Sequence, residues 1–271
     1  MSDTAPIPNS IHAGPRLANN SLGELNRWFT TVPGSAIAEI EQALAGEILP
    51  NLFGYHVVQI GAPHAAELIA HSRISHRVVI GTDWNESPLG QIIAAPDALP
   101  VERNAVDVVV LPHTLEFAYN AHGVLREAER ILIGEGHIVI LGFNPWSSFG
   151  VWRGALSWRG RVPWSGRFLS LSRLKDWLGL LGFEIERVVR ASFRPPLHSA
   201  RWHTRLEFME GMGGHFWPLL SNVYVLVARK RVEAIIPIRA TWARRRRVAA
   251  GSMVKPTARA NAPDRTVQGD P

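Results

Sequence analysis

Val106-Asp107-Val108-Val109-Val110-Leu111, the run from His122 to Leu132, and Gly136 before His137-Ile138-Val139-Ile140-Leu141 decide the fold. The first and last pieces are short, apolar and β-branched, the composition of parallel strands buried on both faces. Between them Val124, Leu125, Ala128, Ile131 and Leu132 recur at helical spacing. Strand, helix and strand in that order predict a right-handed crossover joining parallel strands of one sheet.

The same alternation extends outward. Upstream, Tyr55 to Ile60 predict a strand ending at Gly61, Ala65 to Ser72 a helix, Arg77 to Ile80 a second strand and Gln91 to Ala94 a short third. Downstream, Leu171 to Leu181 predict a helix closed by Gly182, which suits a left-handed cap. The alternating runs Phe183 to Val189 and Val223 to Val227 are the last strands. The fold class is therefore α/β, a doubly wound, mostly parallel sheet of seven strands within residues 50–230. Residues 21–49 predict an N-terminal helical cap in two segments, with Pro33-Gly34 as the break, and residues 1–20 read as disordered. Two insertions interrupt the domain, a Trp-rich one at 144–167 and another at 190–222. Ligands of such sheets bind beyond the carboxyl ends of the strands, so the residues after Ile60, Ile80, Ala94, Leu111 and Leu141 are the candidates for function.

Composition narrows the chemistry. The 271 residues are 46% apolar and 19% charged, enough to bury a core. With no cysteine there is no disulfide, no thiolate nucleophile and no Cys-ligated metal. No H-x-x-x-H or H-E-x-x-H spacing occurs in the second insertion, so no metal site is expected. Met1 to Asn20 lacks a secretory apolar core, and no run reaches the roughly 18 apolar residues of a bilayer span, so a cytoplasmic protein is expected. The net charge of +6 is unevenly placed: residues 229–271 carry 11 Lys/Arg against 3 Asp/Glu, and the remainder is slightly acidic. The segment 231–271 reads as a disordered basic tail. Its cations, from Arg229 to Arg247, suit an arm for nucleic acid or anionic lipid, or simply a solvated extension.

The order of these features resembles the class I S-adenosylmethionine-dependent methyltransferases, especially their type 11 branch. Asp97-Ala98-Leu99-Pro100 is similar to that branch's "DAxxLP" step, and Asn104 to Val109 to its "NSFDVV" strand entry. Leu125 to Leu132 followed by Gly136 to Ile140 resembles "LREhxRVLKPGGxLxh", and Leu174 to Phe183 the "hLxxxGF" tail. The resemblance implies a Rossmann-like sheet with its last strand antiparallel, S-adenosyl-L-methionine as cofactor, and methyl transfer to an acceptor. A small-molecule acceptor is expected, because the domain without its tail is nearly neutral. One block departs: Gln59-Ile60-Gly61-Ala62-Pro63-His64 keeps only the first glycine of the family's acidic residue and G-x-G-x-G. Two other readings therefore stand beside the first: a non-catalytic descendant of the fold, and an RNA methyltransferase using the basic tail.

The resemblance implies a cofactor set of Gly61, Asp83, Asp97, Ala98, Leu111 and His113. Asp83, 22 residues beyond Gly61, would accept from the ribose hydroxyls, or be an ordinary turn residue. Asp97 would take the exocyclic amine of adenine while a backbone amide of the Asp97-Ala98 step meets a ring nitrogen. His113 follows the fourth strand, where it could act as a general base or cover one face of the cofactor as a packed ring. Glu116 reads as a cap of the next turn. Asn144 and Trp146 follow the fifth strand and are candidates for acceptor contact. Trp146, Trp152, Trp158 and Trp164 recur every six residues among arginines, as a lid for an aromatic or anionic substrate or as apolar anchors of the insertion.

Overall fold

The computed structural model describes residues 19–61, 66–81, 91–195 and 220–232. All of them lie in the first of two units, Met1–Glu233, into which the chain divides. Helices α1 (Asn19–Phe29) and α2 (Val32–Ile48) come first. They are followed by β1 (His56–Ile60), α3 (Ala66–Ala70), β2 (His76–Gly81), β3 (Gln91–Ile93) and β4 (Val106–Pro112). Next come α4 (Thr114–Phe117), α5 (Ala121–Ile131), β5 (Leu132–Phe143), α6 (Ser148–Leu156), α7 (Leu171–Leu180), β6 (Phe183–Ala191) and β7 (Val223–Lys230). The strands form one sheet in the order β3-β2-β1-β4-β5-β7-β6. Strands β1 to β5 run parallel, and β7 lies antiparallel between β5 and β6. The strand order reverses between β1 and β4, which puts the ligand crevice of a doubly wound sheet at their carboxyl ends.

Period-two alternation divides the core between the two faces of the sheet. Val58, Ile60, Val109, Leu111, Ile138, Ile140 and Leu226 pack under α5 and α7, through Leu125, Ile131, Leu174 and Leu178. Their neighbours Val57, Val108, Val110, Val139, Leu141, Val225 and Val227 pack under α2 and α3, through Ala45, Ile48, Leu68 and Ile69. A third cluster closes the carboxyl edge. Leu25, Trp28 and Phe29 of α1 and Ile37 of α2 meet Phe143, Phe149, Trp164, Phe168 and Val223 there.

The break between the two N-terminal helices falls at Thr30-Thr31, not at Pro33-Gly34. Pro33 occupies the first turn of α2, where its missing N–H would have had no partner anyway. Gly34 is needed for space, since a Cβ there would lie 2.1 Å from the Trp28 carbonyl oxygen of α1. Gly182 has φ of +79° beyond α7, the left-handed position expected of it. Of the recurring tryptophans only Trp164 is buried as an anchor, while Trp146, Trp152 and Trp158 are exposed. In the second insertion, residues 196–219 lie outside the described residues. At the end of β7 Arg229 pairs with Glu135 and Glu186, Lys230 with Glu129, and Arg231 with Glu184, so the first cations of the basic stretch are held against the domain. The rest of that stretch lies outside the described residues. No helix among the described residues is long and apolar enough to cross a membrane.

Candidate functional site

At the carboxyl end of β1 the chain turns at Gly61, with φ of +112°. Its missing Cβ leaves room for Thr114, whose Oγ1 would lie 2.3 Å from such an atom. Thr114 donates that hydroxyl to the Ile60 carbonyl, and the Gly61 amide donates to Ile80 at 2.9 Å. The glycine thus lets the loop after β4 close against the end of β1. Residues 62–65 and 82–90, including Pro63 and Asp83, lie outside the described residues.

The Asp97 turn sits on the same edge. Ala95 and Ala98 form an antiparallel bridge, with the Ala98 amide donating to the Ala95 carbonyl at 3.0 Å. Helix α5 clamps this turn from the side. Glu127 Oε1 accepts from the Leu99 amide at 2.8 Å, and Arg130 donates to the carbonyls of Val101 at 2.7 Å and Leu99 at 3.2 Å. The Arg130 guanidinium also binds Glu127 and holds its carboxyl below the ordinary range, against the opposing effect of burial. Asp97 itself is half-buried, and its Cβ lies 3.3 Å from the Cβ position of Gly123 in the first turn of α5. No cation pairs with its carboxylate among the described residues. Leu111 is fully buried in the core beneath this edge, and Ala98 is exposed.

His113 lies inside the protein, 1% exposed. It has φ of 52° and ends β4 at the start of α4, a left-handed position that histidine adopts more readily than bulky residues. Its ring stacks on Phe143 with centroids 4.1 Å apart. Nδ1 lies 2.8 Å from Glu116 Oε2, and Nε2 lies 2.7 Å from Glu41 Oε1 of α2. The second oxygen of Glu116 accepts from the Phe143 amide. Burial opposes the imidazolium, but the two carboxylates outweigh it and push the His113 pKa up to about 10. Burial also raises the Glu116 carboxyl, which the imidazolium and the Phe143 amide offset only in part. The two N···O contacts need two protons between the three groups, which either an imidazolium between two carboxylates or a neutral ring beside one protonated carboxyl supplies, and the raised His113 pKa favours the imidazolium. Glu41, 2% exposed, is the member that sequence reasoning missed. Its available signal is a lone carboxylate in the buried stripe Ile37, Glu41, Ala45, Ile48 of α2.

Beyond β5 the Asn144 amide is built into the backbone. Its Nδ2 donates to the Ser221 carbonyl at 2.9 Å, and its Oδ1 accepts from the Trp146 amide at 3.1 Å. Asn144 and the 75%-exposed Trp146 line a cavity of about 540 Å3 with Leu171, Arg190 and Leu220. No group of three or more His, Asp or Glu among the described residues is arranged to hold a metal.

Residues 56–140 match the model of a family described as a methyltransferase domain. The chain is 32% identical over 211 residues to the uncharacterized protein YafS of Escherichia coli (strain K12), covering 77% of this chain and 73% of that one. Its fold is similar to that of a Thermotoga maritima S-adenosylmethionine-dependent methyltransferase, described as a possible histamine N-methyltransferase. That match has a TM-score of 0.58 and 18% identity over 80% of this chain and 98% of that one. It is also similar to a geranyl diphosphate methyltransferase in complex with S-adenosylmethionine, with a TM-score of 0.51 and 17% identity over 70% and 85% of the two chains.

Proposed function

We propose that this chain, which belongs to the class I S-adenosylmethionine-dependent methyltransferase family, binds S-adenosylmethionine where β1 and β4 diverge and methylates a small-molecule acceptor. One observation carries the reading. Asp97 is a half-buried carboxylate on the ligand edge of the sheet, held in place by Glu127 and Arg130 and pairing with no cation among the described residues. A carboxylate positioned that way suits the exocyclic amine of an adenosyl group, and Gly123 gives it clearance. The Ala98 amide is engaged within the turn and the Leu99 amide by Glu127 of α5, so the Asp97 oxygens are the recognising atoms and Ala98 contributes surface. Gly61 supports the site by letting Thr114 close the loop after β4, and Asp83 is assigned to the ribose hydroxyls on the resemblance alone.

The bound cofactor would supply an electrophilic methyl group on a sulfonium leaving group, so the chain's own work is orientation and exclusion of water. His113 is assigned no proton transfer, because both ring nitrogens are held by carboxylates inside the core. It is a positioning residue that ties α2, α4 and the end of β5 together beneath the site. Asn144 and Trp146 are assigned to the acceptor side, Asn144 by shaping the wall and Trp146 by presenting its exposed indole.

Isothermal titration of the full chain with S-adenosylmethionine and S-adenosylhomocysteine tests the proposal. Saturable binding of both is expected. Absence of heat at millimolar ligand would overturn it in favour of a non-catalytic descendant of the fold.

A further inference from the structure

A second cavity, of about 480 Å3, opens between the start of α5, the segment leading into α7, and α6. Its walls include Arg153, Arg167, Arg173, His122, Tyr119 and Trp177. Neither this lining nor the whole run from Gly136 to Lys175 contains an acidic residue. None of the three arginines forms a salt bridge among the described residues.

Arg153 is held by its own side-chain contacts, while Arg167 and Arg173 carry exposed guanidiniums on the cavity wall. Arg153 donates Nε to the Gly166 carbonyl at 2.6 Å and stands 5.5 Å from the centre of the Phe168 ring, which leaves its terminal nitrogens as donors. The backbone amide of Arg167 donates to the Glu116 carbonyl at 2.8 Å, fixing it to the element that carries the buried triad. Arg173 lies 5.8 Å from the centre of the Trp177 ring, and that ring lies 3.6 Å from His122. Asn120, Ala121 and His122, in the opening turn of α5, add the positive end of a helix dipole. Three like charges and a positive helix end around one enclosure repel one another unless an anion joins them. Guanidiniums without carboxylate partners are the donors that oxyanions bind in forked pairs. The volume is that of a small-molecule site rather than of a nucleic-acid surface.

We infer that this cavity binds a small oxyanionic ligand, a phosphate or carboxylate carried on an aromatic body, with the anion on Arg153, Arg167 and Arg173 and the body against Tyr119 and Trp177. The site does not depend on methyl transfer, and its binding is read without cofactor. Its lining residue Asn120 and the Asp97 side chain both approach the Cβ position of Gly123, at 2.9 and 3.3 Å, so an occupant sits near the proposed cofactor edge.

The test is titration of the full chain, without cofactor, by phenyl phosphate, benzoate and phenol. Saturable binding of phenyl phosphate or benzoate, weakened by added salt, is expected, with none for phenol at the same concentration. The stronger of the two anions identifies the oxyanion. In Arg167→Gln/Arg173→Gln, with folding checked by circular dichroism, affinity should fall by about tenfold or more. The tail arginines are the same in both proteins, so the difference reports the cavity. Should the double variant not fold, Arg173→Gln at its exposed position carries the comparison, with a fall of about threefold or more expected. No saturable anion binding, equal binding of phenol, or affinity unchanged in the variant would overturn the inference. Anion binding without S-adenosylhomocysteine binding would leave this site standing and remove the proposed methyl transfer.

Discussion

Nε2 of His113 lies 2.7 Å from a carboxylate oxygen of Glu41, a residue 72 positions earlier in the chain. The pair joins the N-terminal helices to the end of β4, and Glu116 on the other ring nitrogen extends the link to β5 through the Phe143 amide. A buried ion cluster of this kind fixes one arrangement more than it adds net stability, but removing one member leaves uncompensated charge in the core.

The triad predicts a stability that falls with alkaline pH. His113 has a folded pKa of about 10 against an unpaired value of 6.5. Its contribution is therefore fully present below pH 6.5 and is lost as pH rises through about 10. Across that window the folded state holds a proton that the unfolded chain has released, so stability falls by up to about 1.4 kcal/mol per pH unit. Glu116, raised by burial, acts in the same direction from lower pH. Urea unfolding from pH 6 to 10 checks the slope. His113→Gln should flatten it while costing about 3–5 kcal/mol at neutral pH. An equal slope in the variant would place the titration elsewhere.

Phe143 is the hub of the aromatic cluster over the carboxyl edge. It is fully buried and stacks on His113, with Phe149 at 5.6 Å, Phe168 at 5.1 Å and Trp28 edge-on at 5.9 Å. Phe143→Ala should cost about 3–5 kcal/mol in urea unfolding, because the neighbours are rings from four separate segments that cannot all move in. Phe143→Leu should cost markedly less.

The sheet was legible because β4 and β1 are short apolar runs with nothing else to be, and because Gly182 marks the end of α7. The apolar pattern starts β5 at His137, yet the strand pairs from Leu132 through a register shift. Its first half, Leu132-Ile133-Gly134-Glu135-Gly136, looks like a turn because two glycines and a charge interrupt the apolar pattern. Asp97 is singled out by the resemblance of Asp97 to Pro100 to the family's step, and its role is the proposal made above, whereas Glu127 and Arg130 look like an ordinary helix-surface pair until the turn they clamp is seen. Glu41 could be noticed as a charge on an apolar stripe, but its partner is a tertiary fact.

Gly61 makes a sharp test of the loop geometry. An alanine there meets both a positive φ and the Thr114 hydroxyl 2.3 Å away. Gly61→Ala should cost roughly 2–4 kcal/mol, part as backbone strain and part as the clash. Thr114→Ala removes the clashing atom, so Gly61→Ala/Thr114→Ala should cost less than the sum of the two single changes. Additive costs would mean that strain alone penalises the alanine.

The clamp on the Asp97 turn predicts that two residues touching different partners act as one unit in cofactor binding. Asp97→Ala should lower S-adenosylhomocysteine affinity about tenfold or more, the loss of a charged hydrogen bond, with thermal stability nearly unchanged at this half-buried position. Glu127→Ala removes the acceptor of the Leu99 amide and the partner of Arg130, so the turn loosens while the Asp97 carboxylate stays in place. It should also weaken S-adenosylhomocysteine binding, although Glu127 is assigned no contact with the ligand. If Glu127 acts only by positioning Asp97, its loss should matter little once Asp97 is alanine. The double variant would then bind about as Asp97→Ala alone, a coupling that titration of the four proteins measures directly. A Glu127 effect that persists in full without Asp97 would show that the clamp shapes the crevice by some route other than this carboxylate.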